Sequence, residues 1–141
     1  MADHKLLEEG TEVQIDFGKL NKVAAGGKEV IPVVVQDADT LELLIVAYVD
    51  ETALDYTLEH MIAAFWSTSR KELWVKGLTS GDTLEVVEVW INCEQNSLLY
   101  LVRPTKGGAC HTKAKGATRK SCYYRQLVVR DGVKVLEHVA A

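Results

Sequence analysis

The stretch from Glu29 to Asp50, EVIPVVVQDADTLELLIVAYVD, constrains the fold more than any other part of the chain. It holds two apolar runs rich in β-branched residues, separated by the turn-forming DADT. Branched side chains pack well on a pleated surface, so the stretch predicts a β-hairpin. Asp50 then stands as an N-cap before ETALDYTLEH, where Ala53, Leu54, Thr57 and Leu58 share one helical face. IAAFW reads as a further strand. TLEVVEVWINC alternates, with Val87, Val89 and Ile91 on one face and Glu88 and Trp90 on the other. That pattern predicts a half-buried strand, with SLLYLVR as its partner. YYRQLVV and VKVLEHV predict a terminal hairpin around RDG. Several strands with one or two short helices give an α+β fold of mainly antiparallel strands. The 141 residues show no repeat and no Pro/Gly/Ser linker, so the expectation is one domain, 1–141, able to bury a sizeable core.

No apolar run approaches the roughly 20 residues of a membrane-spanning helix. The opening MADHKLLEEG lacks the basic and apolar regions of a secretory signal. A cytoplasmic protein with no membrane partner is the expectation. Cytosolic thiols stay reduced, so three cysteines favour metal binding, catalysis or burial over disulfides. The net charge of −4 hides an asymmetry. Arg103 to Arg130 holds eight Lys or Arg and no acid, while the rest of the chain carries −12. So one-sided a segment suits an anionic partner, such as a phosphate ester or nucleic acid, or is a solvated basic loop.

Cys93 ends a strand in INCEQNS, while Cys110 and Cys122 lie 17 and 29 residues further on, in the basic segment. No CxxC occurs, so a metal site must rest on convergence in space. Three protein ligands would leave a fourth position for water, as in catalytic zinc sites. A zinc-bound water ionises near neutral pH and can attack an electrophilic carbon. His111, beside Cys110, is placed to serve as general acid or base. Plain burial of the cysteines is the competing reading.

FWSTSRKELWVKGLTSGD combines hydroxyls, a glycine-rich turn, Arg70 and Lys76, the groups that a phosphate needs. Trp66 and Trp74 can stack on a base or belong to the core. No Walker A or Rossmann fingerprint is present. The H-x-E and P-C-x-x-C pair of zinc nucleobase deaminases is absent as well.

Taken together, IPVVVQDADT, FWSTSR, ELWVKGLTSGD, INCEQNSLL, ACHT and RKSCYYR resemble the phosphoribosyl-AMP cyclohydrolases of histidine biosynthesis. The pieces occur in the family's order and cover about residues 31–125. The resemblance implies an intertwined homodimer that opens the adenine ring of phosphoribosyl-AMP at the N1–C6 bond. It implies zinc at the subunit interface, with Cys93 from one subunit and Cys110 and Cys122 from the other. It makes His111 the proton carrier. Ser67, Ser69, Arg70, Lys76, Thr79, Ser80 and Gly81 match its substrate-holding residues, with Trp66 beside them. The substrate carries two phosphates, and Arg119, Lys120 and Arg125 are the candidates for the second.

Two departures stand out. The family's D-C-D-x-D, thought to bind magnesium, is here Asn92, Cys93, Glu94, Gln95 and Asn96. One carboxylate and two neutral amides suit a hard cation poorly, so a magnesium site should be weak, altered or absent. The loop KAKGATRK between CHT and SC is also longer than the usual form. A zinc-stabilised module that binds nucleic acid or phosphate through the 103–130 segment would explain the charge and the cysteines. It leaves the Ser67–Gly81 loop unused and carries no recognised nucleic-acid motif, so no nucleic-acid partner is expected.

Overall fold

The structure is a computed structural model that describes residues 4–139. Its centre is a four-stranded sheet in the order β2–β1–β6–β5. β1 (Ile31–Asp37) and β2 (Leu43–Val49) form the hairpin that the two branched runs predict. β5 (Leu84–Ile91) and β6 (Leu98–Pro104) form a second hairpin. The two join through a parallel pairing of β1 with β6, the one parallel contact in this sheet. The second face of each strand differs sharply from the first. Val33, Val35, Leu44, Val49, Leu84, Val86, Tyr100 and Val102 are buried, with Phe65 and Ala53 packed among them.

α3 (Glu51–His60) closes this core. It starts where Asp50 Oδ1 accepts the Ala53 N–H at 2.8 Å, an N-cap that satisfies one orphan donor. It stops at Met61, which adopts a left-handed conformation and donates its N–H to the Thr57 carbonyl. Thr57 is fully buried, and its hydroxyl donates to the Ala53 carbonyl at 2.9 Å. The same oxygen accepts the Ala64 N–H at 3.0 Å. One hydroxyl thus fastens the helix to β3 (Ala64–Ser67), which pairs with β4 (Glu72–Val75).

Three departures from the sequence reading have physical causes. A register shift between Val86 and Glu88 moves β5 out of simple alternation. Leu84 and Val86 face the core, Val89 packs against it, and Trp90 and Ile91 are exposed, so Val87, Val89 and Ile91 do not share one buried face. Leu58, expected on the buried face of α3, is exposed, and only Ala53 and Thr57 are fully covered there. The N-terminal 30 residues contain α1 (His4–Glu9) and α2 (Lys19–Ala25), which bury no side chain and so left no apolar period to find. The α+β class holds, with three helices among the described residues. The 107–124 segment carries only the two-residue strands β7 (Lys113–Ala114) and β8 (Ala117–Thr118). The terminal hairpin is β9 (Arg125–Arg130) with β10 (Val133–His138).

Replacing Thr57 with Val keeps the shape and removes both hydrogen bonds. Thr57→Val is expected to lower the unfolding free energy by about 1–3 kcal/mol, because the buried Ala64 N–H loses its acceptor. Urea denaturation measures this, and an unchanged midpoint would contradict the role.

Candidate functional site

The basic segment is held against the sheet by one side-chain and one backbone hydrogen bond to β2. Ser121 Oγ donates to the Leu43 carbonyl at 2.7 Å, and the Cys122 N–H donates to the Leu44 carbonyl at 2.8 Å. The segment then doubles back, with the Ala109 N–H on the Lys120 carbonyl and the Cys110 N–H on the Arg119 carbonyl. Gly108 allows this crossing. A Cβ there would sit 2.1 Å from the Arg119 carbonyl oxygen, a distance no side chain tolerates.

This crossing brings Cys110 and Cys122 into hydrogen-bond contact. Cys110 is buried and Cys122 is half-buried. Cys122 donates its proton toward Cys110, and the Thr112 hydroxyl (2.9 Å) and N–H (3.4 Å) add to that. The Cys110 thiol is pulled down to about 5. Cys122 moves the opposite way, because it gives its hydrogen bond to Cys110 and is desolvated. Lys76 lies close enough for both sulfurs to act on its charge. Its ammonium is buried and donates to the Asp82 carbonyl at 2.9 Å, and burial pulls its pKa down. Two adjacent soft donors beside a buried cation suit a thiophilic metal such as zinc.

Cys93 is elsewhere. It sits in the exposed turn joining β5 to β6, beyond the Ile91–Leu98 pair. The Cys122 anchor is on β2, the opposite edge strand of the sheet. Among the described residues no three Cys, His, Asp or Glu side chains gather within one chain as a metal cluster. In the same turn, Asn92 Oδ1 accepts the N–H groups of Asn96 and Ser97, each at 2.9 Å. Asn92 Nδ2 donates to Asn96 Oδ1 at 2.6 Å, and Asn96 Nδ2 donates to Glu94 Oε2 at 3.3 Å. The amides are satisfied by one another, and Glu94 alone offers a charged oxygen, so this donor set does not fit magnesium.

The hydroxyl-rich loop divides in two. Ser67, Ser69 and Arg70 lie at the turn of the β3–β4 hairpin, where Ser67 Oγ accepts the Arg70 N–H at 3.2 Å. Trp66 is half-buried beneath Lys28, whose Nζ is 4.7 Å from the ring centre. Lys76, Thr79, Ser80 and Gly81 follow the other end of that hairpin. There Ser80 Oγ accepts the Asp82 N–H at 3.2 Å, and Gly81 needs its positive φ of 86°. This second half meets the basic segment, since Thr118 Oγ1 donates to Asp82 Oδ2 and Thr105 Oγ1 donates to the Gly81 carbonyl. Within one chain the two halves do not converge.

The candidate phosphate cations are partnered. Arg119 forks onto Glu9 at 2.6 and 2.8 Å and stacks on Tyr124. Lys120 bonds Asp37 at 2.8 Å and Glu42 at 3.3 Å. Arg125 donates to the Gly10 carbonyl at 3.0 Å. His111 is exposed and pairs through Nε2 with Glu8 Oε2. Lys115, Arg119, Lys120, Tyr123 and Tyr124 border a cavity of about 740 Å³. The sequence reading missed Thr112, which touches both Cys110 and Arg119, although it stands in the ACHT motif. It also missed Asp37, which stands in IPVVVQDADT, and Glu8 and Glu9, whose positions carry no motif.

The fold and site define a small α+β domain built on an adjacent cysteine pair, a buried lysine and a basic segment crossing a sheet edge. The family model described as phosphoribosyl-AMP cyclohydrolase matches residues 45–124. Proteins named phosphoribosyl-AMP cyclohydrolase are similar over most of the chain. One from Haloquadratum walsbyi is 47% identical over 109 residues, 77% of this chain and 76% of that protein. One from Archaeoglobus fulgidus is 48% identical over 100 residues, 71% of this chain and 87% of that protein. One from Brucella canis is 41% identical over 140 residues, 99% of this chain and 91% of that protein. The chain belongs to the phosphoribosyl-AMP cyclohydrolase family.

Asp37 offers a test of the anchoring. The Lys120 hydrogen bond, helped by the Thr40 and Asp39 N–H groups, holds its carboxyl at about 2. A carboxylate held low stabilises the fold above its ordinary pKa, and the contribution fades as pH falls through the folded value. Asp37→Asn is expected to cost about 1–3 kcal/mol at pH 7. In urea unfolding the gap between the two proteins should narrow from pH 4 toward pH 2, and a constant gap would contradict this.

Proposed function

We propose that this chain hydrolyses the N1–C6 bond of the adenine ring of phosphoribosyl-AMP, using zinc held by Cys110 and Cys122 of one subunit and Cys93 of its partner. The observation that carries this reading is the split of the three thiols. Two are in contact, and the third lies across the sheet with exposed surface beside it. A second copy is the simplest source of the missing ligand.

The sheet itself favours such a copy. Val46, Val34, Leu99 and Trp90 stand in one lateral row across all four strands, on the face away from the core. Val46 and Trp90 are about half exposed, at 46% and 57%. An apolar row of this kind, ending two residues before the Cys93 turn, is suited to burial against a partner. The same pairing would join the two halves of the hydroxyl-rich loop from different chains.

When bound, zinc supplies an activated water for attack on an electrophilic carbon. The ribosyl group on N1 makes C6 that carbon by weakening the ring's aromaticity. His111 takes and returns the proton at Nε2. Thr112 orients Cys110, and Lys76 offsets the thiolate charge. Ser67, Ser69 and Arg70 hold one phosphate, with the Thr79–Gly81 turn, while Arg119, Lys120 and Arg125 hold the other. A nucleic-acid module is less well supported, because Arg103, Arg119, Lys120 and Arg130 already face carboxylates.

Turnover of phosphoribosyl-AMP to the ring-opened product tests the reaction. Cys93→Ser and Cys110→Ser should each abolish it. Mixing the two inactive proteins should restore about a quarter of the wild-type rate, since random exchange makes half the dimers mixed, each with one intact site. No recovery after proven subunit exchange would refute the shared site. A second expectation concerns the Asn92–Asn96 turn. Zinc-loaded protein should show neither a faster rate nor a higher melting temperature in millimolar magnesium, and a clear gain in either would restore a magnesium site there.

A further inference from the structure

The residues at the end of α1 and just after it do something that the proposed reaction does not need. Residues 8–12 lie as a strap along the basic segment and the terminal hairpin. Tyr124 Oη donates to the Glu8 carbonyl at 2.5 Å, and His138 Nε2 meets the Glu9 carbonyl at 2.7 Å. Arg125 donates to the Gly10 carbonyl, the Leu136 N–H donates to the Thr11 carbonyl, and Glu12 bridges to Val135. These contacts hold the strap's backbone. Two of its three carboxylates, those of Glu8 and Glu9, reach elsewhere.

They reach the proton carrier and the phosphate fork. Glu8 pairs with His111, and Glu9 accepts both guanidinium arms of Arg119. The Arg119 side chain is only 13% exposed in this arrangement. A phosphate monoester engages a guanidinium through the same two parallel hydrogen bonds, so Glu9 and a phosphate cannot both hold that fork. α1, which leads into the strap, buries no side chain, so lifting it exposes little apolar surface.

We propose that the strap is an internal competitor. Glu8 and Glu9 occupy His111 and Arg119 in the resting chain, and the substrate's phosphate displaces them on binding. The inference rests on the functional reading above for the identity of the substrate. A site that is open only part of the time shows a weaker apparent affinity by the open fraction, so neutralising the strap should tighten binding.

Glu9→Gln and the Glu8→Gln, Glu9→Gln double variant test this, because the backbone anchors remain and folding should be kept. Steady-state kinetics should show KM for phosphoribosyl-AMP falling by about threefold to tenfold with kcat nearly unchanged. An unchanged or raised KM in folded variants would overturn the proposal. Hydrogen exchange with inorganic pyrophosphate as probe reads the strap without turnover. Amides of residues 8–12 in the wild-type chain should exchange faster when pyrophosphate is added, and no change would overturn the proposal. If exchange accelerates while neither protein turns over phosphoribosyl-AMP, the reaction assignment fails and the strap stands.

Discussion

The contact between Cys110 and Cys122 is the constraint on which the rest of the site depends. Two sulfurs set side by side, one buried and one half-buried, need a chain that crosses itself closely. They also need a donor that favours one thiolate and a cation that offsets it. Gly108 permits the crossing, Thr112 donates, and Lys76 supplies the charge. The Cys122 N–H on Leu44 ties the pair to the edge of the main sheet, so that the geometry of the sulfurs follows the β1–β2 hairpin. What the sequence shows as a loosely structured basic loop is thus positioned by backbone hydrogen bonds to a strand more than sixty residues earlier.

Much of the fold was legible because its signals are local. The paired branched runs, Asp50 as N-cap and the RDG turn each predict an element that forms as expected. The misses have local causes too. A bulge after Val86 is invisible to a period-two reading, so Ile91 was placed inside when it is exposed. α1 and α2 bury nothing, and a helix without an apolar stripe leaves little pattern to detect. In the site, residue types pointed to the cysteines and His111. The spacing said nothing of Glu8, Glu9 or Asp37, which act over more than eighty residues of sequence separation.

The basic segment also has a different character from the one its charge suggests. Carboxylates pair with half of its cations, three of the four from positions distant in sequence, and the strap takes the most sheltered of them. Such a surface is poorly suited to a long polyanion. It is better suited to a small ligand that can replace one carboxylate at a time. In the Asn92–Asn96 turn the amides likewise find their partners within the chain.

The most direct test of the account is zinc content measured with oligomeric state on the same purified protein. Wild-type chain should elute as a dimer with one zinc per chain, and Cys122→Ser should lose the metal while remaining folded. Active wild-type protein that holds no zinc, or a monomer that keeps it fully bound, would contradict the shared thiolate site.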